Sequence, residues 1–258
     1  MEKVQPKKHL GQHFLRDEDI AQKIVESLSS DSQNILEIGP GMGVLTKYLL
    51  PKYQNSLKVI EIDTESVSYL QKVYPSLQII EGDFLKMDIS SIFDNSLSII
   101  GNFPYNISSQ ILFKVYEHHE NVPEVVGMFQ KEVAERIASK SGNKTYGILS
   151  VLLGLFYDIE YLFTVHEHVF QPPPKVKSAV IRLVKNNRTY PNLDIVLFTK
   201  VVKAGFNQRR KTLRNALSFY KEFFENISSE YLLKRAEQLS VEDFIDITTT
   251  IQKNQQKK

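Results

Sequence analysis

The sequence predicts an α/β domain with a mostly parallel sheet, followed by a small domain made only of helices. Three observations support this prediction. Short runs rich in β-branched residues alternate with amphipathic stretches from Asn34 onward, which is the pattern of parallel strands joined by helices. Strand signals stop after Val184, and from about Leu193 apolar residues recur only at helical spacing. We therefore predict one domain over residues 1–187 and a second over residues 188–258.

The elements of the first domain follow in chain order. Asp17 is expected to cap a helix from Glu18 to Leu28, because the apolar residues in this stretch have helical spacing. Five runs of strand length come next: NILEIG, LKVIEI, LQIIEG, LSIIGN and EVVGMF. The amphipathic stretches between and after them are predicted helices: VLTKYLL, ESVSYLQKVY, SQILFKVYEHH and KEVAERIAS. This alternation places helices on both faces of a parallel sheet.

Two further strand-like runs, YDIEYLFTV and VKSAVIRLV, are joined by the Pro-rich segment HEHVFQPPPK and not by a helix. We therefore predict that they add to one edge of the sheet in antiparallel orientation. The segment KNNRTYPN then has the composition of a linker. In the second domain, LFTKVVKAGF and YLLKRAEQL have helical periodicity, and the polar end QKNQQKK is expected to fray.

The net charge of +2 conceals a polarised chain. Residues 1–16 carry a net charge of +3, residues 17–174 carry −10 and residues 175–214 carry +10. The last of these stretches contains the run NQRRKTLRN. Such a concentration of charge is the footprint that a polyphosphate selects, although a solvated helix face is the alternative for a basic run.

Composition excludes several classes of chemistry. The absence of cysteine excludes disulfides, a thiolate zinc site and a cysteine nucleophile, and it indicates a reducing compartment. No apolar run is long enough for a signal peptide or a membrane-spanning helix, so we expect a soluble cytoplasmic chain. His118, His119, His166 and His168 have no accompanying acidic cluster, and we predict no metal site.

The first predicted strand, NILEI, runs into a glycine loop at Gly39-Pro40-Gly41-Met42-Gly43 and then into a helix. Glycines at this position let the backbone turn tightly and approach a ligand in the crevice where doubly wound sheets bind nucleotides. The spacing is G-x-G-x-G, and not the G-x-G-x-x-G that accommodates a dinucleotide pyrophosphate. A plain tight turn is the alternative for the glycines alone.

Acidic residues at the next two strand ends favour an adenosyl ligand. Glu61 follows Gly39 by 22 positions, where a carboxylate can accept hydrogen bonds from both hydroxyls of a ribose. Asp83 can accept from an adenine amino group, and Phe84 can pack on the ring. Each acid alone is more often a turn or cap residue, but acceptors at successive strand ends that face one crevice, with Gly41 in the loop, favour an adenosyl ligand without a pyrophosphate. S-adenosylmethionine fits this set best.

The fourth strand ends in Asn102-Phe103-Pro104-Tyr105, which can bind an exocyclic amine on a planar ring. The side-chain oxygen of Asn102 and the carbonyl of Phe103 provide two acceptors for the two N–H bonds of an adenine amino group. Pro104 restricts Phe103 to an extended conformation and so fixes the direction of that carbonyl. Tyr105 can stack on the base. We therefore predict methyl transfer to an adenine amino group by positioning, without a general base.

Seven motifs, in this order, carry a resemblance to a known family: KKHLGQHFL (7–15), EIGPGMGVLT (37–46), VIEID (59–63), EGDFL (81–85), GNFPYNIS (101–108), FQPPPKVKSAVIRL (170–183) and FNQRRKTLRNAL (206–217). They resemble the ribosomal RNA adenine dimethyltransferases of the bacterial KsgA/RsmA type. The resemblance implies a Rossmann-like methyltransferase domain that uses S-adenosylmethionine, plus a small helical domain. It further implies dimethylation of the N6 atoms of two adjacent adenosines in the 3′-terminal hairpin of small-subunit (16S) rRNA, late in assembly of the 30S subunit.

The resemblance also implies roles for single residues. Its N-terminal motif puts His13 and Leu15 over the cofactor, and many relatives have asparagine in place of His13. Gly39 approaches the methionine part of the cofactor. Phe170 matches the aromatic residue that stacks on the target base opposite Tyr105.

Asn102 lies at the methyl-transfer centre by the same resemblance, and Phe103 replaces the more usual leucine. Because the proposed role of Phe103 uses its backbone carbonyl, we expect this replacement to have little effect. The implied partner is the small ribosomal subunit, with no membrane partner, and the chain is expected to be a monomer. The predicted RNA contacts are all basic: Lys7, Lys8, Lys175, Lys177, Arg209, Arg210, Lys211 and Arg214.

Three alternatives remain at this point. An erythromycin-resistance methylase shares the cofactor and amine motifs but modifies large-subunit rRNA; FNQRRKTLRN with PPPKVKSAV favours the small-subunit type. A non-catalytic nucleic-acid-binding factor on the same fold is disfavoured by the intact Asn102, Pro104, Tyr105 and Glu61. A NAD-linked oxidoreductase is disfavoured by the glycine spacing.

Overall fold

The computed structural model describes residues 4–256, which form two compact units. The first consists of the residues up to Ala134 together with Asp158–Lys185. The second consists of Glu135–Tyr157 and the residues from Asn186 onward. The chain passes from the first unit to the second between Lys185 and Asn186, two residues before the predicted boundary. Residues 135–157, which the prediction assigns to the first domain, group with the second unit.

The helices and strands are, in chain order: β1 (Phe14–Leu15), α1 (Glu18–Glu26), β2 (Ile35–Ile38), α2 (Thr46–Tyr53), β3 (Leu57–Glu61), α3 (Thr64–Val73), β4 (Gln78–Glu81), β5 (Ser98–Asn102), α4 (Ser108–Glu117), β6 (Glu124–Gln130), α5 (Lys131–Ile137), α6 (Ile148–Phe156), β7 (Tyr157–Val165), β8 (Phe170–Gln171), β9 (Ser178–Lys185), α7 (Ile195–Asn207), α8 (Leu213–Ala216), α9 (Ser229–Leu233) and α10 (Val241–Gln255). Short 3₁₀ turns connect several of them.

The central sheet has seven strands in the order β4-β3-β2-β5-β6-β9-β7. Neighbouring strands from β4 to β6 are parallel, and β9 pairs with β6 in antiparallel orientation. This confirms the mostly parallel sheet and the placement of the two late strands at one edge. The strands β2, β5 and β6 are buried almost throughout, which agrees with their continuous apolar sequences.

The order of the strands reverses at β2, which pairs with β3 on one side and with β5 on the other. At such a switch point the loops after the two strands run in opposite directions and leave a crevice at the carboxyl edge of the sheet. The predicted ligand residues follow β2, β3, β4 and β5. The topology therefore brings all four strand ends to the same crevice.

Capping residues set the helix ends in the first unit. The carboxylate of Asp17 accepts a hydrogen bond from the backbone N–H of Ile20 at 3.0 Å, which confirms the predicted cap of α1. The helix ends at Glu26, two residues before the predicted end. Asp63 caps α3 in the same way through the N–H of Glu65.

The second unit is helical, as predicted, but two of its elements differ from the expectation. The run YLLKRAEQL is not one helix, because α9 ends at Leu233 and the N–H of Leu213 donates to the carbonyl of Lys234 at 2.7 Å. A tertiary hydrogen bond thus replaces a helical one. The helix α6, whose sequence is a continuous apolar run, is not among the predicted elements. Within residues 4–256, no helix combines the length and apolar character needed to cross a bilayer.

Candidate active site

The crevice at the carboxyl edge of the sheet is lined by five segments of the first unit. They are residues 10–14 of the N-terminal segment, the loop after β2, the residues after β3, the turn after β4 and the segment after β5. Every cofactor-binding residue predicted for the four strand ends lines this crevice: Gly39, Gly41, Glu61, Asp83, Phe84 and Asn102. Three residues of the predicted amine motif, Phe103, Pro104 and Tyr105, also line it.

Residues larger than glycine would not fit in the loop after β2, for two reasons. Gly39 and Gly41 have φ angles of 66° and 55°, in the left-handed region that favours glycine. A Cβ atom on Gly41 would lie 2.8 Å from the ring of Phe14. The N–H of Gly41 donates to the carboxylate of Glu61 at 3.0 Å, so the loop and the end of β3 are fixed to each other.

The carboxylate of Glu61 is almost completely buried and accepts three backbone N–H groups, from Gly41, Ile62 and Asp63 at 2.9–3.0 Å. Burial raises the pKa of Glu61, and the three hydrogen bonds oppose this shift. A carboxylate has about four acceptor positions, so roughly one remains for a hydroxyl donor. One free acceptor position serves one ribose hydroxyl, whereas hydrogen bonds from both ribose hydroxyls require two.

The turn after β4 is organised by Asp83, whose side chain accepts from the N–H of Leu85 at 3.0 Å. Phe84 is buried, and only part of it reaches the crevice. Ile62, across the crevice lining, is 50 % exposed. Sequence reasoning missed Ile62, because an exposed isoleucine after a strand has no distinguishing pattern.

The side chain of Asn102 is held in one orientation. Its amide nitrogen donates to the backbone carbonyl of His13 at 2.9 Å. With the nitrogen engaged, the amide oxygen is the group left to accept a hydrogen bond in the crevice. The predicted acceptor role of Asn102 therefore has a structural basis in the N-terminal segment.

The side chain of Tyr105 is held in place at its hydroxyl group and at its ring. Its hydroxyl hydrogen-bonds with Ser178 at 2.6 Å, and its ring stacks with that of His13 at a centroid distance of 5.4 Å. Nδ1 of His13 in turn contacts the carbonyl of Pro172 at 2.8 Å. Burial raises the pKa of Tyr105, with Ser178 opposing, so the phenol is neutral at physiological pH.

Phe103 is buried between two glycines. Its ring packs edge-on against Phe129 at 5.2 Å. Cβ atoms built on Gly101 and Gly127 would lie 2.7 Å and 2.4 Å from carbon atoms of this ring. The absence of side chains at these two positions makes the space that a phenyl ring needs.

The roles that the resemblance gives Leu15 and Phe170, over the cofactor and against the target base, stay predictions. The two residues face each other across the two-stranded ladder of β1 and β8, and both pack in the hydrophobic core with under 5 % exposure. Phe14, one residue earlier, lines the crevice instead of Leu15. Phe170 is buried, and the pairing of β8 with β1 accompanies the packing of its side chain in the core.

Two of the predicted RNA contacts, Lys7 and Arg209, have polar or charged partners within the protein, although Arg209 is itself exposed. The ammonium of Lys7 pairs with the carboxylates of Asp63 and Glu65. Burial raises the pKa of Asp63, but the hydrogen bonds to its carboxylate, that of Lys7 first, outweigh burial, so the pKa of Asp63 is lowered. In the second unit, Arg209 donates to the carbonyl of Lys144 at 2.5 Å and lies 3.7 Å from Glu237. The remaining members are exposed: Lys8, Lys175, Lys177, Arg210, Lys211 and Arg214.

A second cavity adjoins Tyr105 in the first unit. It is lined by His13, Gln12, Gln130, the triple proline at 172–174 and the basic residues Lys8 and Lys175. Within the part of the chain that the structure describes, no group of three or more His, Cys, Asp or Glu side chains is arranged so that it could hold a metal ion.

Comparison with known proteins gives consistent matches over the whole length. A family model described as ribosomal RNA adenine dimethylase matches residues 3–253. The ribosomal RNA small subunit methyltransferase A of Cytophaga hutchinsonii is 62 % identical over 257 residues, covering 97 % of this chain and 99 % of that protein. The protein of the same name from Flavobacterium johnsoniae is 57 % identical and covers 98 % of both chains.

Two solved structures resemble this one. A dimethyladenosine transferase from Plasmodium falciparum superposes with a TM-score of 0.80 at 26 % identity, covering 94 % of this chain and 98 % of that one. The 23S rRNA methyltransferase ErmE has a TM-score of 0.66 at 21 % identity and covers 90 % and 99 %. The second likeness is one of fold alone.

Proposed function

The chain belongs to the ribosomal RNA adenine dimethylase family, and we propose that it dimethylates the N6 amino groups of two adjacent adenosines in the 3′-terminal hairpin of small-subunit (16S) rRNA with S-adenosylmethionine. The names of the relatives support the small subunit as the partner. We further propose that the chain works as a monomer in the cytoplasm during late assembly of that subunit. The proposed domain roles are cofactor binding for residues 1–187 and RNA contact for residues 188–258.

The residues of the crevice fit S-adenosylmethionine. Glu61 and Asp83 provide acceptors for a ribose hydroxyl and an adenine amino group, while Phe84 and Ile62 provide apolar contact for the adenine ring. Gly39 and Gly41 let the backbone approach the methionine part, and no basic side chain for a pyrophosphate lines the crevice among the described residues. When bound, S-adenosylmethionine supplies an electrophilic methyl group on a sulfonium.

The orientation of the Asn102 amide is the observation that carries the proposal. Since its nitrogen donates to the His13 carbonyl, its oxygen is available to accept one N–H of the target amine. The carbonyl of Phe103 is the proposed acceptor for the second N–H. Binding both hydrogens favours a pyramidal nitrogen whose lone pair points toward the methyl group, so positioning replaces a general base.

Tyr105 is the proposed platform for the target adenine. Its hydroxyl is engaged with Ser178 and its ring is in contact with His13, so little rotamer freedom is lost when a base stacks on it. Because Phe170 is buried, we propose that the opposite face of the base meets the triple proline of the second cavity.

Partition of label among ribosomal particles tests the proposal. The protein is incubated with labelled S-adenosylmethionine and, separately, with small subunits lacking the modification, large subunits and naked rRNA. We expect label in small subunits. Label confined to large subunits would support the alternative methylase, and label in none of the three would support a non-catalytic binding factor.

A further inference from the structure

The ammonium group of Lys114 binds the turn that carries two of the proposed cofactor residues. Lys114 lies in the second half of α4 and donates to the carbonyls of Phe84 at 2.8 Å, Leu85 at 3.1 Å and Met87. An ammonium has three donors, and all three are used on one turn. Sequence reasoning had given Lys114 no role.

The turn at residues 83–87 has two backbone hydrogen bonds of its own, from the N–H of Lys86 to the carbonyl of Asp83 at 3.0 Å and from the N–H of Met87 to the carbonyl of Phe84 at 3.3 Å. Its N-terminal end is closed by Asp83, which accepts from the N–H of Leu85. Among the described hydrogen bonds, the carbonyls of Leu85 and Met87 accept from Lys114 and from no backbone N–H, and a lysine that binds such carbonyls stabilises a helix end. Lys114 also lies 5.1 Å from the centre of the Phe84 ring, within the range of a cation–π contact.

The position of Lys114 connects this turn to the reacting centre. Helix α4 begins at Ser108, directly after the segment Asn102–Ile107 that lines the crevice. A rigid helix therefore joins the proposed amine-binding motif to the proposed adenine-binding turn.

We propose that Lys114 is a positioning residue for the adenine end of the cofactor, acting through the placement of Asp83 and Phe84. This inference rests on the proposed function, because it assumes an adenosyl ligand in the crevice. Lys114 does not touch the ligand in this account. Its effect is confined to the contacts that Asp83 and Phe84 make.

Lys114→Met keeps the length of the side chain and removes all three donors. Lys86→Met is the matched control, because the exposed ammonium of Lys86 lies 3.7 Å from the carboxylate of Asp83 and, among the described contacts, binds no carbonyl of the turn. Calorimetry with S-adenosylhomocysteine is expected to give a loss of affinity of about tenfold for Lys114→Met and under about twofold for Lys86→Met. The KM for S-adenosylmethionine should rise by the same factor, with kcat nearly unchanged.

A ligand that lacks the amino group separates positioning from a general loss of structure. The analogue of S-adenosylhomocysteine with hydrogen in place of the 6-amino group has no donor at this edge of the purine, so Asp83 has nothing to accept from. We expect the effect of Lys114→Met to fall to under about threefold with this ligand, and also in an Asp83→Ala background, because coupled sites are non-additive. An equal loss for both ligands, or no loss for either, would overturn the proposal.

Lys114→Arg provides the second variant if Lys114→Met does not fold. It keeps a charged donor on α4 and is expected to lose less affinity than Lys114→Met, or than Lys114→Gln if that is the folded comparison. Equal losses would again overturn the proposal. Failure of the unaltered protein to bind S-adenosylhomocysteine would instead contradict the proposed function, so the two failures are distinguishable.

Discussion

Asn102 depends on a backbone group for its orientation, and this gives a sharp prediction for the amide. Asn102→Ala removes the proposed acceptor but leaves Glu61 and Asp83 in place. We expect kcat to fall by about a hundredfold or more, because an interaction made mainly in the transition state is lost. The affinity for S-adenosylhomocysteine should change by under about threefold, measured by calorimetry.

Asn34→Ala is a suitable control for this variant. The amide nitrogen of Asn34 also donates to a backbone carbonyl, that of Ser96 at 3.0 Å, but outside the crevice lining. It should leave both quantities near their original values. A parallel loss of affinity and turnover in Asn102→Ala would mean that Asn102 is chiefly a cofactor ligand.

Phe103 and Gly127 should behave as a coupled pair. A Cβ on Gly127 would lie 2.4 Å from the Phe103 ring, so Gly127→Ala is expected to lower the free energy of unfolding by about 1–3 kcal/mol. Phe103→Leu in the same chain should recover part of this loss, but not all, since Phe129 is also within 2.7 Å. Urea unfolding of the two single variants and the double variant measures the coupling, and additive losses would contradict it.

The burial of Glu37 predicts that the free energy of unfolding depends on pH. Its side chain is 1 % exposed and accepts from the hydroxyl of Thr46 at 2.6 Å, and burial raises its pKa from 4.5 to about 8. Because the folded state then binds more protons than the unfolded state, the carboxyl contributes stability that is lost as pH rises between these values. Glu37→Gln should remove this dependence.

The measurement is urea unfolding of both proteins at several pH values. Relative to Glu37→Gln, the unaltered chain should lose stability progressively from about pH 4.5 to about pH 8. A difference between the two proteins that stays constant over this range would show that Glu37 does not titrate as its burial implies.

At the scale of elements, the basic segment between α7 and α8 combines two different roles. Arg209 donates to the carbonyls of Lys144 and Tyr146, whereas Arg210 and Lys211 are exposed. Arg209→Ala should therefore lower the melting temperature. The double variant Arg210→Ala, Lys211→Ala should leave stability unchanged, weaken RNA binding and reduce the salt dependence by up to about one slope unit per lost phosphate contact.

Binding to small-subunit rRNA over a range of salt concentrations, with thermal unfolding of each variant, separates these roles. An unchanged salt slope in the double variant would remove Arg210 and Lys211 from the interface. A destabilised double variant, with Arg209→Ala unaffected, would reverse the assignment of roles within the segment.

The elements that sequence patterns predicted well are those fixed by local rules. Strand ends that share an edge of a parallel sheet bring Glu61, Asp83 and Asn102 together whatever the details of packing. Tertiary pairing decides what local rules leave open. Leu15 and Phe170 form a short ladder that buries both side chains, and no local pattern distinguishes such a two-residue pairing from a loop.

Charged residues show the same limit. The sequence identifies Lys7 and Arg209 as members of basic segments, but it does not reveal that Asp63 and the carbonyl of Lys144 occupy them. The role of Lys114 depends equally on a turn some thirty positions away. Contacts of this kind arise only once the fold has formed.

For the whole molecule, the division of charge agrees with the division of labour. Residues 17–174 carry −10 and contain the four strand ends of the crevice, which is suited to a cationic sulfonium. Residues 175–214 carry +10 and contain five of the exposed basic residues named above, while Lys8 lies in the +3 segment at the start of the chain. An overall charge of +2 therefore results because the acidic segment that contains the crevice and the basic segments proposed to contact RNA nearly cancel.

Mass spectrometry of the 3′-terminal fragment of small-subunit rRNA tests the central claim most directly. Small subunits that lack the modification are treated with S-adenosylmethionine and either the unaltered protein or Asn102→Ala. We predict two adjacent N6,N6-dimethyladenosines with the unaltered protein and unmodified adenosines with Asn102→Ala. Methylation of another base or another atom by the unaltered protein, or full dimethylation by Asn102→Ala, would contradict the account.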